Sequence, residues 1–164
     1  MKNLDFRKIL FKGAFSVMGC DGEIAESEVA EMKEMLFNSP YFEGLDHEME
    51  LKAAFEDMKN NGVTSIDNFF SLLQASELSE KQEFQLVEVL IRMVMADNRI
   101  DESELHFLHK IKKMLKKLTD NKIIISFPQH INLFLNLIDY QGTDFDKNLN
   151  NMDFTALNNL NLKT

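Results

Sequence analysis

The sequence predicts an all-α protein, a compact bundle of about seven helices. The chain contains only 2 Pro and 6 Gly but 10 Met and 14 Phe. Few residues therefore break helices, and many apolar side chains can fill a core. Apolar residues also recur at the helical period between capping residues. A third observation is an internal repeat. With 164 residues, 45% of them hydrophobic, we expect residues 1–143 to form one domain.

Each of the first four predicted helices has a start or stop signal. The first helix ends at an acidic turn, and the second ends at Ser39-Pro40 because a residue before proline disfavours the α conformation. Gly62 closes the third helix, and Thr64 is predicted to cap the fourth. The predicted helices cover residues 3–20, 25–37, 46–60, a short stretch from 64, 79–97, 102–118 and 126–142.

The later elements are predicted from caps and apolar stripes. Ser79 and Gln82 form a capping box for the fifth helix, whose apolar face makes it a central element. Residues 122–125 include three isoleucines in a row and could form a short extended piece. Ser126 is predicted to start the last helix, which carries the stripe Ile131, Phe134, Leu135 and Ile138. The Asn-rich segment 144–164 is either docked or flexible.

The repeat relates residues 14–28, AFSVMGCDGEIAESE, to residues 90–104, LIRMVMADNRIDESE. The matching pairs are Asp21 with Asp97, Ile24 with Ile100, Glu26 with Glu102, Ser27 with Ser103 and Glu28 with Glu104. We therefore expect the bundle to be built on an internal duplication of one helix-turn-helix corner.

Helix capping explains part of each corner. Gly22 and Asn98 most easily adopt the left-handed conformation that ends a helix. Asp101 is the predicted N-cap of the sixth helix, with Glu104 at the third helical position, whereas Ala25 takes the capping position in the first copy. On this interpretation the acidic residues only shape the corner.

The alternative interpretation is a metal site. If the two corners face each other, the carboxylates of Asp21, Glu28, Asp97 and Glu104 could converge on a hard divalent cation, which prefers oxygen ligands. The sequence leaves both interpretations open.

Charge and composition exclude several function classes. The net charge of -9 argues against a nucleic-acid binder. The sole cysteine, Cys20, and the lack of a leader-like segment or long apolar run indicate the cytoplasm. One local basic face, residues 110–117, could meet an anionic membrane surface or an acidic partner; its lysines are Lys110, Lys112, Lys113, Lys116 and Lys117. No phosphate loop, nucleotide motif or catalytic triad pattern occurs, so we expect no enzyme.

At the doubled motif, Cys20 to Glu28 and Ala96 to Glu104, the chain resembles the TerB family of tellurite-resistance-associated proteins, whose domain also begins DjlA-type co-chaperones. The resemblance implies a non-enzymatic bundle of about seven helices that acts in stress-response assemblies on the cytoplasmic side of the membrane. It also implies a metal ion at the acidic positions Asp21, Glu28, Asp97 and Glu104. Asn98 and Arg99 depart from the family pattern, and Arg99 places a cation beside the second motif.

Two functions are therefore expected. The first is a TerB-like module that binds a protein partner and, through the paired acidic corners, a divalent cation. The alternative is a metal-free structural or adaptor bundle that binds a protein partner or an anionic membrane surface.

Overall fold

The computed structural model describes residues 3–96 and 99–139, and within these ranges the chain forms eight α-helices and no strand. The helices are α1 (Asn3–Gly19), α2 (Glu26–Asn38), α3 (His47–Asn61), α4 (Val63–Ala75), α5 (Glu80–Val94), α6 (Glu102–Met114), α7 (Asp120–Ser126) and α8 (Ile131–Asp139). Short 3-10 helices, Pro40–Phe42 and Pro128–His130, follow α2 and α7. The predicted all-α class is confirmed. The boundary at residue 143 and the segment 144–164 lie outside the described residues.

Helix α1 lies at the centre of the bundle, in contact with α2, α3, α4 and α5. Its consecutive side chains Ile9, Leu10 and Phe11 are each at most 2% exposed, so neighbours cover more than one face of the helix. A surface helix buries only one stripe. The most extensive packing of α1 is against α5, where residues 89–91 are also buried in succession. The α1–α5 pair therefore forms the core on which the other helices pack.

Local caps set most helix boundaries. The predicted capping box of α5 is confirmed, since Ser79 Oγ accepts from the Gln82 N–H at 3.1 Å and Gln82 Oε1 accepts from the Ser79 N–H at 2.9 Å. Gly62, with φ of +50°, closes α3 as predicted. The predicted Thr64 cap is wrong. Gly62 serves both helices, so α4 begins at Val63 and Thr64 falls inside its first turn.

The region after α6 differs from the prediction. Residues 122–125 are helical, not extended, because Thr119 caps α7 by accepting from the Lys122 N–H and Ile123 is buried in the core. Ser126 belongs to the end of α7 and does not start the last helix. Because of the intervening 3-10 turn, α8 begins at Ile131, and a different set of its side chains faces the core than the sequence predicted. Its described buried side chains are Leu133, Phe134 and Leu137, while Ile131 and Leu135 are 43% and 47% exposed.

A buried carboxylate sets the end of α6. The helix stops at Met114, not at residue 118 as predicted, and the next residues turn toward Glu83 of α5. Glu83 is 3% exposed and accepts three backbone N–H groups, from Lys116 at 2.8 Å, Lys117 at 2.9 Å and Leu118 at 2.7 Å. A buried carboxylate is stable only with such donors. Glu83 thus fixes the connection from α6 to α7.

We expect Glu83→Gln to lower the free energy of unfolding by about 2 kcal/mol, because an amide nitrogen would then face backbone N–H groups. Glu80→Gln is the matched control. Glu80 lies on the same helix, 53% exposed, and pairs with Lys122 at the surface, so its loss should stay below about 1 kcal/mol. Urea unfolding of both variants measures the difference, and equal losses would contradict the role assigned to Glu83.

Candidate functional site

We call residues 20–28 the first corner and residues 96–104 the second corner. In the first corner, α1 ends at Gly19 and the chain turns at Gly22, whose φ of +81° requires the left-handed conformation predicted for it. Asp21 Oδ1 accepts from the Glu23 N–H at 2.8 Å, which closes the turn. In the second corner Asp97 and Asn98 lie outside the described residues.

The two corners begin their second helices in the same way. Glu28 Oε2 accepts from the Ala25 N–H at 2.8 Å, and Glu104 Oε2 accepts from the Asp101 N–H at 2.9 Å. Each glutamate lies at the third position of its helix, where the helix N-terminus favours a negative charge. Both side chains are buried, Glu28 at 4% and Glu104 at 3% exposure. These two predicted site residues therefore have a capping role.

The two corners face each other across Cys20. The carboxyl group of Asp21 lies close enough to that of Asp101, which belongs to the other corner, for the two to interact when one of them holds a proton. Cys20 is fully buried, and the negative charges of Glu104, Asp21, Glu28 and Asp101 all act on its thiol. Four carboxylates from the two corners thus act electrostatically on one buried thiol.

An ion-pair cluster holds α2 against α5 beside these corners. The Arg92 Nη2 atom lies 2.8 Å from a Glu31 oxygen and 2.6 Å from a Glu34 oxygen, and Arg92 Nε donates to Glu31 at 2.9 Å. Arg92 lies near the end of α5, immediately before the second corner, and the two glutamates follow the first corner on α2. Arginine suits this arrangement because its guanidinium binds two carboxylates in a fixed geometry.

Burial and the neighbouring carboxyl group lower the acidity of Asp21. The pKa of Asp21 is raised from 3.8 to about 6, mainly because the carboxyl is withdrawn from water. The hydrogen bond from the Glu23 N–H opposes this rise, whereas Asp101 adds to it. Two carboxyl groups can share a hydrogen bond only if one of them is protonated. Asp21 therefore keeps its proton up to a pH of about 6.

Burial raises the pKa of the Cys20 thiol well above its usual range, and the carboxylates of Glu104 and Asp21 raise it further. The thiolate is the nucleophilic form of cysteine. Cys20 is therefore a neutral, buried core side chain at physiological pH, and its chemistry does not define the site.

Of the four predicted site residues, Asp21, Glu28 and Glu104 all act electrostatically on the Cys20 thiol, while Asp97 lies outside the described residues. Within the described ranges, no group of three or more His, Cys, Asp or Glu side chains is placed to hold a metal ion. The four-residue metal site stays a prediction. Sequence reasoning missed the contact of Asp101 with Asp21, because it assigned Asp101 only as an N-cap. The sequence does contain a signal for this contact. The two copies of the repeat differ at this position, because the second copy has Asp101 where the first copy has Ala25.

The basic face is divided by the end of α6. Lys112 lies 3.2 Å from Asp120, Lys116 lies 2.6 Å from Glu77, and Lys117 donates to the Leu78 carbonyl oxygen at 2.5 Å. Lys110 lies over the Phe70 ring, 4.4 Å from its centroid. Lys113 is exposed. Most of these lysines thus bind groups of their own chain.

Comparison with known proteins gives one family. The model described as Tellurite resistance protein TerB matches residues 11–123, which is well over half of the chain and includes both corners. Searches for similar curated proteins and for similar solved structures give no significant match. No helix in the described ranges has both the length and the apolar composition to cross a membrane.

The raised pKa of Asp21 predicts how stability depends on pH. The folded chain keeps a proton that the unfolded chain loses between pH 3.8 and about 6, so unfolding becomes easier as pH rises through this window. Because the carboxyl keeps contact with water, we expect this group to contribute a loss of only about 1 kcal/mol.

Asp21→Asn removes this titration. When the pH rises from 3.8 to about 6, the free energy of unfolding should therefore fall less in the variant than in the native protein. Urea unfolding in a chelator at each pH measures the effect. Asp67→Asn, at an exposed position of α4, is the matched control and should keep the native pH profile. Parallel profiles for all three proteins would show that the Asp21 proton has no effect on stability.

Proposed function

Because the chain belongs to the tellurite resistance protein TerB family, we propose that it is a non-enzymatic module whose two facing corners bind a divalent cation. The cation-bound form acts in a stress-response assembly by binding a protein partner, in the cytoplasm or at the inner face of the membrane. The contact between the Asp21 and Asp101 carboxyl groups is the observation that carries the cation proposal.

A cation can replace the proton that these two carboxyl groups share. When both groups are ionised at close range, their negative charges repel each other, and a positive charge between them relieves this repulsion. Asp21 with its raised pKa therefore releases its proton when a metal ion binds, and proton and metal compete for one position. This competition gives the site a pH dependence near neutrality.

The ligand chemistry favours a hard ion. Carboxylate oxygens suit Mg²⁺, Mn²⁺ and Ca²⁺, whereas zinc prefers thiolate and imidazole ligands. The neighbouring Cys20 thiol holds its proton strongly, so it is a poor zinc ligand. The proposed ligand set is Asp21, Glu28, Asp97 and Glu104, and Asp101 adds its carboxylate through its interaction with Asp21. Arg99, exposed in the second corner, adds positive charge nearby and lowers the affinity that these acids would otherwise give.

The test is calorimetric titration with Ca²⁺, Mg²⁺, Mn²⁺ and Zn²⁺ above and below the Asp21 pKa. We expect an oxygen-preferring ion to bind above it and the affinity to fall about tenfold for each pH unit below the pKa, since the ionised fraction falls by that factor. Asp21→Asn, Asp101→Asn and Asp97→Asn should each weaken binding about tenfold or more.

Asp67→Asn again serves as the control, because it makes the same change in charge at an exposed site on α4. It should bind the ion as the native protein does. Absence of heat for every ion, or native affinity in Asp21→Asn, would remove the metal from the proposal and leave the metal-free adaptor as the function.

That alternative, a metal-free adaptor that meets an anionic membrane through residues 110–117, has weaker support. The face was predicted as one continuous helix, but α6 ends at Met114. Lys112 and Lys116 are engaged by Asp120 and Glu77. A membrane would have to displace these pairs, and a pair at the surface resists such displacement only weakly.

Vesicle co-sedimentation decides this point. We expect no more binding to phosphatidylserine vesicles than to neutral vesicles, and no change when Lys112, Lys113 and Lys116 are all replaced by Glu. Binding that salt abolishes, and that the triple variant loses, would instead establish the membrane-docking function.

A further inference from the structure

A surface pocket lies at the opposite end of α1 from the acidic corners. Its volume is about 390 Å³, and Phe6, Leu10 and Pro40 give it an apolar wall. Gln85 of α5 and Tyr41 add polar groups, and Tyr41 donates its hydroxyl proton to Glu88. A small-molecule site usually combines apolar walls with a few orienting polar groups, and in this pocket polar groups line about as much of the surface as apolar ones.

The pocket contains the guanidinium of Arg7 and, among its lining residues, the carboxylate of Glu43. Arg7 Nε is buried and has no hydrogen-bond partner, and no ion pair in the described part of the chain includes Arg7. Nearly all buried polar groups in proteins are hydrogen-bonded, and a charged donor left unpaired is costly. The chain thus holds a partly desolvated cation against an apolar wall, an arrangement that an anion would stabilise.

Gly44 brings the backbone close to the same guanidinium. Its φ is +87°, and a Cβ atom added there would lie 2.7 Å from Arg7 Nη1. A side chain at this position would therefore displace the arginine as well as strain the turn. The turn after the Pro40–Phe42 helix is shaped so that the Arg7 head group lies within the pocket wall.

We propose that this pocket binds a small ligand that carries a single carboxylate on a short apolar body. Arg7 binds the carboxylate through its outer nitrogen atoms, and the apolar body packs on Phe6, Leu10 and Pro40. A singly charged anion fits better than phosphate, because the pocket has one cation and Glu43 also lines it. A dianion would be repelled by that carboxylate and left half neutralised.

This site is separate from the metal proposal. Arg7 and the C-terminal end of α1 at Gly19 are 12 residues apart on one helix, which corresponds to about 18 Å. No residue of the pocket belongs to either corner. The carboxylate proposal can therefore fail or succeed independently of the cation, and its test is made in a chelator.

The test is an NMR titration of the full chain with hexanoate, using the backbone amides of Gly44 and Gln85 as reporters. Hexanamide has the same body without the charge. We expect hexanoate to give saturable shifts in the millimolar range typical of small fragments, and hexanamide to bind about tenfold more weakly or worse.

Variants assign the effect to the pocket. Arg7→Gln should weaken hexanoate about tenfold or more, and Glu43→Gln should strengthen it because a competing negative charge is removed. Glu43 is exposed, so the second variant tests the site without endangering the fold. The proposal is overturned if hexanamide matches hexanoate, if Arg7→Gln binds as the native protein does, or if inorganic phosphate binds more tightly than hexanoate.

Discussion

Three glutamates carry their side chains into the interior of this bundle, and each must bind backbone N–H groups because a buried carboxylate without donors is unstable. Glu28 and Glu104 turn back onto the residues that precede α2 and α6, and Glu83 gathers three N–H groups after α6. These bonds fix where helices begin and end, so the packing of α2, α6 and α7 on the α1–α5 core depends on them. The hydrogen bonds that stabilise these buried carboxylates therefore also set the direction in which the chain continues.

The same constraint places charge at the candidate site. Since Glu28 and Glu104 are held at helix N-termini, their negative charges are partly offset by the helix dipoles. Asp21 has no such compensation: it follows the C-terminus of α1, where the dipole is negative, and it faces Asp101. Burial of the carboxyl is the main cause of the raised pKa of Asp21, and Asp101 adds to it. The site thus separates into two acids that build the corners and a pair of aspartates that share a proton.

Local sequence signals were enough to predict the helices with clear caps, such as α5 with Ser79 and Gln82, and the capping-box position of Glu104, whereas the choice between capping and metal binding was left open for Glu28 and Glu104. They failed where a distant side chain decides the outcome. Glu83 ends α6 through contacts 33 to 35 positions away, and Asp21 meets Asp101 across the two corners. Nothing in the periodicity of α1 shows that Arg7 lacks a partner. Non-local charge pairing, unlike helix formation, leaves no periodic pattern in the sequence.

Helix α1 joins two regions with opposite charge preferences. Its N-terminal part carries Arg7 beside an apolar pocket, and its C-terminal end leads directly into the acidic corner. The helix dipole has the same polarity, with a positive N-terminus and a negative C-terminus. It therefore favours an anion at one end and a cation at the other. Because α1 is buried on several faces by four neighbouring helices, it cannot shift freely to relieve either charge, and neutralisation must come from protons or ligands.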